Sequence, residues 1–475
     1  MLFTSPVFLL LFMPISLAVY ALTPPKYRRS VIFILSILFY VFSNIKRPVC
    51  IVFLLMCAAF TYCASFAVMT VKKRVVMILS VCVMIVTLVM LRLLSVSASE
   101  DAQRLLPIGA SFYLLASVSC IVDVGRGDVN PPKSFFETLF YISYFPVMIA
   151  GPVIRYKEFV RITDSENIRF SASGVAGGIQ LFSMGFIKRV AIAALLDEAI
   201  DRIMSGASAY DQPLSLPVIL MLGILLLISV FYSFAGYSDM ARGISMMLGI
   251  PLACDFGSCA MAYTVTGYAD NFMNSLYRWV TDYLIQPLKQ KLEARSEFLA
   301  SLAVPMGFVF IIFWYRAGLT VLFALIPLVV LVWLDQNRKV TAFLSKNVLT
   351  RTLGRVVTWV VMGSFWLLIR THSVSSLWEG MSHMSLFAPL QSYNMYLILF
   401  NREFLLVGLM LIIVRMPFLY AMVAKYVPAI AEKNAERAAQ WIWTGLLTVT
   451  FVFTMVYLLP QYPSIAAVPF SSITL

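Results

Sequence analysis

Apolar residues along this chain come in long runs. Runs that reach or approach the ~20 residues needed to cross a bilayer as a helix lie near 6–22, 31–45, 49–70, 75–94, 105–122, 135–153, 174–196, 214–235, 298–314, 317–334, 355–369, 403–424 and 440–459. Several are short or interrupted by Gly and Pro, 105–122 and 135–153 among them, and the two runs flanking Trp314 read as one broken hairpin. Broken backbone at membrane depth survives only where protein or a cavity covers it. The pattern therefore predicts an all-α multi-pass membrane protein whose middle encloses something, with short or broken helices around 105–153 and 230–320. Polar stretches are few: a charged connector at 154–173, a longer moderately polar region at 254–297, and a charged, Ala-rich connector at 425–440 that predicts a helix outside the membrane. No fixed-period repeat is present.

Composition sharpens this picture. The 475 residues are 61% hydrophobic and 12% charged, against about 45–50% and about 25% for an ordinary soluble domain. Mean hydropathy is +0.88. That excludes a secreted disulfide scaffold, a disordered regulator and a soluble nucleic-acid binder. The net charge of +13 comes from short basic clusters between apolar runs, such as Lys26-Tyr27-Arg28-Arg29, Lys46-Arg47 and Lys72-Lys73-Arg74. Clusters so placed suit loops at anionic lipid headgroups; no long basic face for nucleic acid exists. The basic loops after the first and third runs favour an N-terminus outside. The N-terminal run lacks a basic lead and is followed at once by further runs, so it reads as a retained first helix. Most of the seven cysteines lie inside apolar runs and no CxxC pair occurs; they read as small buried hydrophobes, with no metal site. One integral-membrane domain over 1–475 is expected.

Three segments carry candidate chemistry. In FPVMIAGPVIRYKEF (145–159), Gly151-Pro152 breaks an apolar run and Arg155 follows. Two readings stand: a re-entrant turn with Arg155 at a cavity mouth, or a helix end with a snorkelling Arg. In FYSFAGYSDMARGISMMLGI (231–250), Asp239 and Arg242 are i,i+3 and can pair, with Tyr232, Tyr237 and Ser238 nearby. Charges at membrane depth are either functional or a polar knot fixing helix register. In SLYRWVTDYLIQPL (275–288), Trp279 and Tyr283 share a helix face, Arg278 and Asp282 are placed to pair, and Pro287 ends an amphipathic interfacial helix.

Together and in this order, these pieces resemble the membrane-bound O-acyltransferase family, in its branch of bacterial alginate O-acetylation membrane proteins, related to the D-alanyl transfer proteins of teichoic acid synthesis. LPIGASFYLLASVSCIVDVGRGDV (106–129), GFIKRVAIA (185–193) and GSFWLLIR (363–370) add to the resemblance, which spans nearly the whole chain. It implies an MBOAT-like ring of tilted and broken helices around a central tunnel in the bacterial cytoplasmic (inner) membrane. It implies acylation of a cell-surface polysaccharide or similar acceptor, with an acyl donor such as acetyl-CoA or an acyl carrier. An extracytoplasmic acyl-transfer partner protein is implied beside the membrane lipid. Arg155, Tyr237, Asp239, Trp279, Asp282, Tyr283, Trp314 and Arg316 are then expected to line the tunnel or to hold its structure.

The chain departs from the family at both motif histidines. Met273 stands where the first belongs, and Tyr315 follows Trp314 where the second belongs. A general base needs a pKa near working pH; tyrosine starts near ~10 and methionine does not titrate. Tyr315 serves only if strongly depressed, for instance by Arg316. The two histidines of the chain, His372 and His383, match neither motif. The catalytic residue is thus unassigned, and two readings remain: an acyltransferase with altered catalytic residues, or an inactive MBOAT-fold scaffold that binds an acyl carrier or a pathway partner. The scaffold reading expects Met273 and Tyr315 to face each other across the cavity.

Overall fold

A computed structural model describes residues 2–70, 73–97, 106–164, 166–209, 216–315, 319–370, 402–426 and 433–461. In chain order the elements used below are α1 (Met13–Leu22), α2 (Arg28–Ser43), α3 (Pro48–Thr70), α4 (Lys73–Ser97), α5 (Ala110–Arg126), α6 (Phe135–Ser143), α7 (Phe145–Met148), α8 (Tyr156–Ile162), α9 (Ala172–Ile187), α10 (Ala194–Ala209), α11 (Leu216–Met247), α12 (Val265–Asn271), α13 (Asn274–Val280), α14 (Gln286–Glu293), α15 (Ala303–Tyr315), α16 (Leu319–Asp335), α17 (Val348–Arg370), α18 (Arg402–Tyr426) and α19 (Lys433–Phe453). No strand occurs among the described residues. Seven helices among them are long and apolar enough to cross a membrane, with shorter apolar helices at Phe8–Leu22, Leu325–Asp335 and Leu405–Phe418. The chain is an all-α multi-pass membrane protein.

Burial separates centre from rim. The most apolar window of Ala172–Met204 is 72% buried and that of Lys73–Ser95 only 17%. On α4 the exposed Val75, Leu79, Val83, Val86 and Met90 recur at helical spacing and form a lipid-facing stripe. The centre is the antiparallel pair α9 and α11. Gly178 meets Gly243 and Gly185 meets Gly236 across it; a Cβ on Gly185 would lie 2.5 Å from the Gly236 carbonyl oxygen. Small residues at matched seven-residue spacing let the two backbones touch, the usual basis of helix association in lipid.

That seam corrects one expectation. The stretch FAGYSDMARGISMMLG, expected among the broken segments, lies almost entirely within the unbroken 32-residue α11. Its glycines are spent on close packing, so they do not interrupt the helix. Breaks do occur where Pro and polar residues cluster. After α6 and α7 the chain runs irregularly from 149 to 155. Gly109, at φ 79°, starts α5 so close to α7 that a Cβ there would lie 2.6 Å from the Met148 carbonyl oxygen. Residues 251–258 have no regular secondary structure, and Thr264 then caps α12 by accepting the Gly267 N–H at 3.1 Å.

Two further expectations change. Pro287 does not end its helix: it sits in the first turn of α14, behind a wide π turn at Thr281–Ile285. Proline lacks the N–H that a regular turn would use there, and π turns tend to occur at functional sites. The 425–440 connector is no separate helix as far as it is described: its two ends continue α18 and begin α19, and 427–432 lie outside the described residues.

Candidate functional site

The irregular strand of chain at 149–155 is pinned on both sides. The Val153 N–H donates to Ser275 Oγ at 2.8 Å, and Arg155 pairs with Asp282 at 2.6 Å. The Asp282 carbonyl also accepts from Arg126 at 2.8 Å, whose guanidinium lies 5.4 Å from the Tyr283 ring centre. The Tyr283 hydroxyl donates to Asp123 Oδ1 at 2.6 Å, while Asp123 Oδ2 accepts the Lys157 N–H at 3.1 Å. This network ties α5, α8 and the π turn to one irregular loop. It also corrects the expected Arg278–Asp282 pair: Arg155 comes across from the loop and takes the carboxylate, and Arg278 faces a cavity.

That cavity, about 210 Å³, is polar, and Arg155, Glu158, Asp255, Asn274, Ser275 and Arg278 are among its walls. Asp255 sits in its floor, 2% exposed. Its Oδ1 accepts the Ser275 N–H at 2.6 Å, and its carbonyl accepts the Asn274 N–H at 2.9 Å. Its Oδ2 has no partner among the described residues. Burial raises the Asp255 carboxyl above its ordinary range, with Ser275 and the charge of Arg242 pulling against that.

Below lies a void of about 10 Å³, bounded by Gly151, Tyr237, Asp255 and Met273 among others. That is room for one water at most. Beyond it is an apolar pocket of about 70 Å³ lined by Phe234, Phe272, Met273, Trp314, Tyr315 and Trp366, with others. Asp255 thus borders the first two spaces, and Met273 the last two. The three are neighbours linked by these shared lining residues.

The apolar pocket is rich in aromatic rings. The Tyr315 ring packs edge-on against Trp366 at 4.9 Å and tilted against Phe234 at 5.8 Å. Trp314 is 1% exposed, edge-on to Phe112 at 5.6 Å, with the buried Arg92 guanidinium 5.8 Å from its ring. Met273 and Tyr315 both line this one pocket. Met273 is the one non-glycine residue with positive φ among the described residues, at 52°. That backbone region favours Asn, Asp and His over other side chains, which nothing in the sequence disclosed.

The other expected residues divide. Asp239 is 8% exposed and holds both Lys188 and Arg242, the latter at 2.9 Å. Arg242 then reaches the Leu252 carbonyl, on the polar cavity's wall, at 3.4 Å. So Asp239 braces the cavity from behind. Trp279 lines none of the three spaces; it stacks on Phe310 at 6.1 Å and meets Tyr283 at 5.1 Å, confirming the shared face of 279 and 283. Arg316, His372 and His383 lie outside the described residues. Sequence reasoning missed Asp255, Lys188 and Asp123. The available signal was a lone carboxylate in the extended polar run just before the Met273 motif.

The family model described as MBOAT, membrane-bound O-acyltransferase family, matches residues 131–375. A Pseudomonas fluorescens protein described as probable alginate O-acetylase AlgI is 31% identical over 304 residues, 60% of this chain and 56% of that protein. A Helicobacter pylori peptidoglycan O-acetyltransferase is 25% identical over 373 residues, 67% of each chain. A Bacillus subtilis teichoic acid D-alanyltransferase is 23% identical over 178 residues, 37% of this chain and 44% of that one. This chain spans less than two thirds of the length of the alginate O-acetylase relatives it matches.

Proposed function

This chain belongs to the membrane-bound O-acyltransferase family, and from that premise we propose that it transfers an acyl group to a hydroxyl of a cell-surface polysaccharide or similar acceptor outside the cytoplasm. The observation that carries this reading is one of position. The family match, residues 131–375, contains every residue lining the polar cavity and the apolar pocket. The donor is an acyl thioester, either acetyl-CoA or an acyl carrier, and the setting is the bacterial cytoplasmic membrane, with one integral-membrane domain over 1–475. An extracytoplasmic partner protein that handles the polymer fits the same scheme. The relatives named for alginate, peptidoglycan and teichoic acid support a polymer acceptor.

The test is purified protein in lipid vesicles, given labelled acetyl-CoA and either alginate or peptidoglycan fragments. The expected result is label bound to the polymer and released by mild base, as an O-ester is. Folded protein that labels neither polymer, with any thioester donor, overturns the reading.

One observation favours the second reading, an inactive scaffold. Met273 and Tyr315 occupy one aromatic pocket at the positions where the family resemblance puts its histidines. Methionine has no proton to exchange and tyrosine gives one up only near pH ~10. The scaffold reading expects no turnover but tight binding of a carrier or periplasmic partner. Turnover abolished by Tyr315→Phe alone would instead assign the base to Tyr315.

A further inference from the structure

Burying a carboxylate is costly unless its oxygens are satisfied. The other buried carboxylates around this site meet that demand. Asp123 uses one oxygen for Tyr283 and the other for Lys157. Asp239 uses one for Lys188 and the other for Arg242. Asp255 does not: Ser275 holds Oδ1, and Oδ2 is sealed from solvent with no partner among the described residues. Asp255 lines both the 210 Å³ polar cavity and the small void beside the apolar pocket. An oriented carboxylate with an unused oxygen directly behind the lining of a polar cavity can take a proton from something that enters, once a small shift of that lining uncovers Oδ2.

We infer that Asp255 accepts the proton of the acceptor hydroxyl, which places the proton-transfer step in the polar cavity and away from Met273 and Tyr315. The inference rests on the acyl-transfer reading. The hydroxyl oxygen attacks the carbonyl carbon of the thioester donor and forms the ester C–O bond. The C–S bond breaks. The hydroxyl proton passes to Asp255 and from there to the departing thiolate, with nothing oxidised or reduced. Arg278 and Arg155, which line the same cavity, are cations available for the negative charge that develops on the carbonyl oxygen. Glu158 lines it too, and behind it stand Arg242 and Asp239. Burial already moves the Asp255 carboxyl upward, toward the range where a carboxylate is a useful base.

The experiment compares wild-type, Asp255→Asn and Asp255→Glu proteins in lipid vesicles with acetyl-CoA and alginate, across pH. Asparagine keeps the acceptor for the Ser275 N–H, so the fold is expected to hold, as a thermal melt would report. Wild-type rate should rise with pH through one ionisation. Asp255→Asn should lose roughly 100-fold or more and lose that acidic limb. Asp255→Glu should keep the limb and recover part of the rate. If Asp255→Asn turns over as fast as wild type with the same pH profile, the inference is wrong and the acyl-transfer reading stands. If wild-type protein transfers nothing to any acceptor, both fall together.

Discussion

The polar mouth and the apolar pocket lie on either side of Met273, and they differ in kind. The mouth is walled by charged and amide side chains held by cross-element contacts, with Val153 on Ser275 and Arg155 on Asp282. The pocket is a box of aromatic rings and methionine in which Tyr315 is wedged between Phe234 and Trp366. One region carries groups that move protons and stabilise charge; the other excludes them. A fold can therefore keep its irregular loop and charged lining while the pocket beyond is rebuilt for packing, because only a small void of about 10 Å³ lies between the two.

The comparison breaks most severely at the brace behind the mouth. Asp239→Ala leaves Lys188 and Arg242 facing each other in a largely buried site. A loss of about 4 kcal/mol is expected, seen as a lower unfolding midpoint in detergent together with lost transfer. Trp366→Ala acts on the other region, where it enlarges the aromatic box. It should cost about 3 kcal/mol, while the rate per folded molecule stays close to wild type.

Acid sharpens the comparison on the polar side alone. The folded Asp255 carboxyl sits above its ordinary value of ~3.9. The native state therefore holds this proton more tightly than the unfolded chain. The favourable contribution is complete below the ordinary value and is lost as pH rises through the window up to the raised value. Unfolding midpoints measured across that window should carry this slope in wild type and lack it in Asp255→Asn. The smallest effect belongs to Met273→His. Its left-handed backbone suits histidine, so the midpoint should move by less than about 1 kcal/mol. Transfer should not increase, since the proton acceptor is already supplied by Asp255 and not by position 273.

Much of this was legible in the residues. Long apolar runs announced the membrane fold, and the Gly151-Pro152 pair announced the break in the chain at 149–155. The i,i+3 pair Asp239–Arg242 and the shared face of Trp279 and Tyr283 follow from helix geometry alone. What the sequence hid were choices made across elements. Asp282 had an equally spaced local partner in Arg278, and only the folded loop gives it to Arg155. The glycines of α11 look the same in sequence whether they break a helix or seat another against it. Asp255 carried no motif; its meaning comes from what surrounds it and from the oxygen left over.

Proton transfer is thereby assigned to the polar cavity, and the pocket beyond is left only to pack. Initial rates of acetyl transfer to alginate, measured side by side for wild type, Tyr315→Phe and Asp255→Asn at matched folded concentration, test it most directly. The prediction is that Tyr315→Phe stays within about threefold of wild type while Asp255→Asn falls by roughly 100-fold. The reverse order, with Tyr315→Phe inactive and Asp255→Asn unimpaired, would contradict it and move the chemistry into the aromatic pocket.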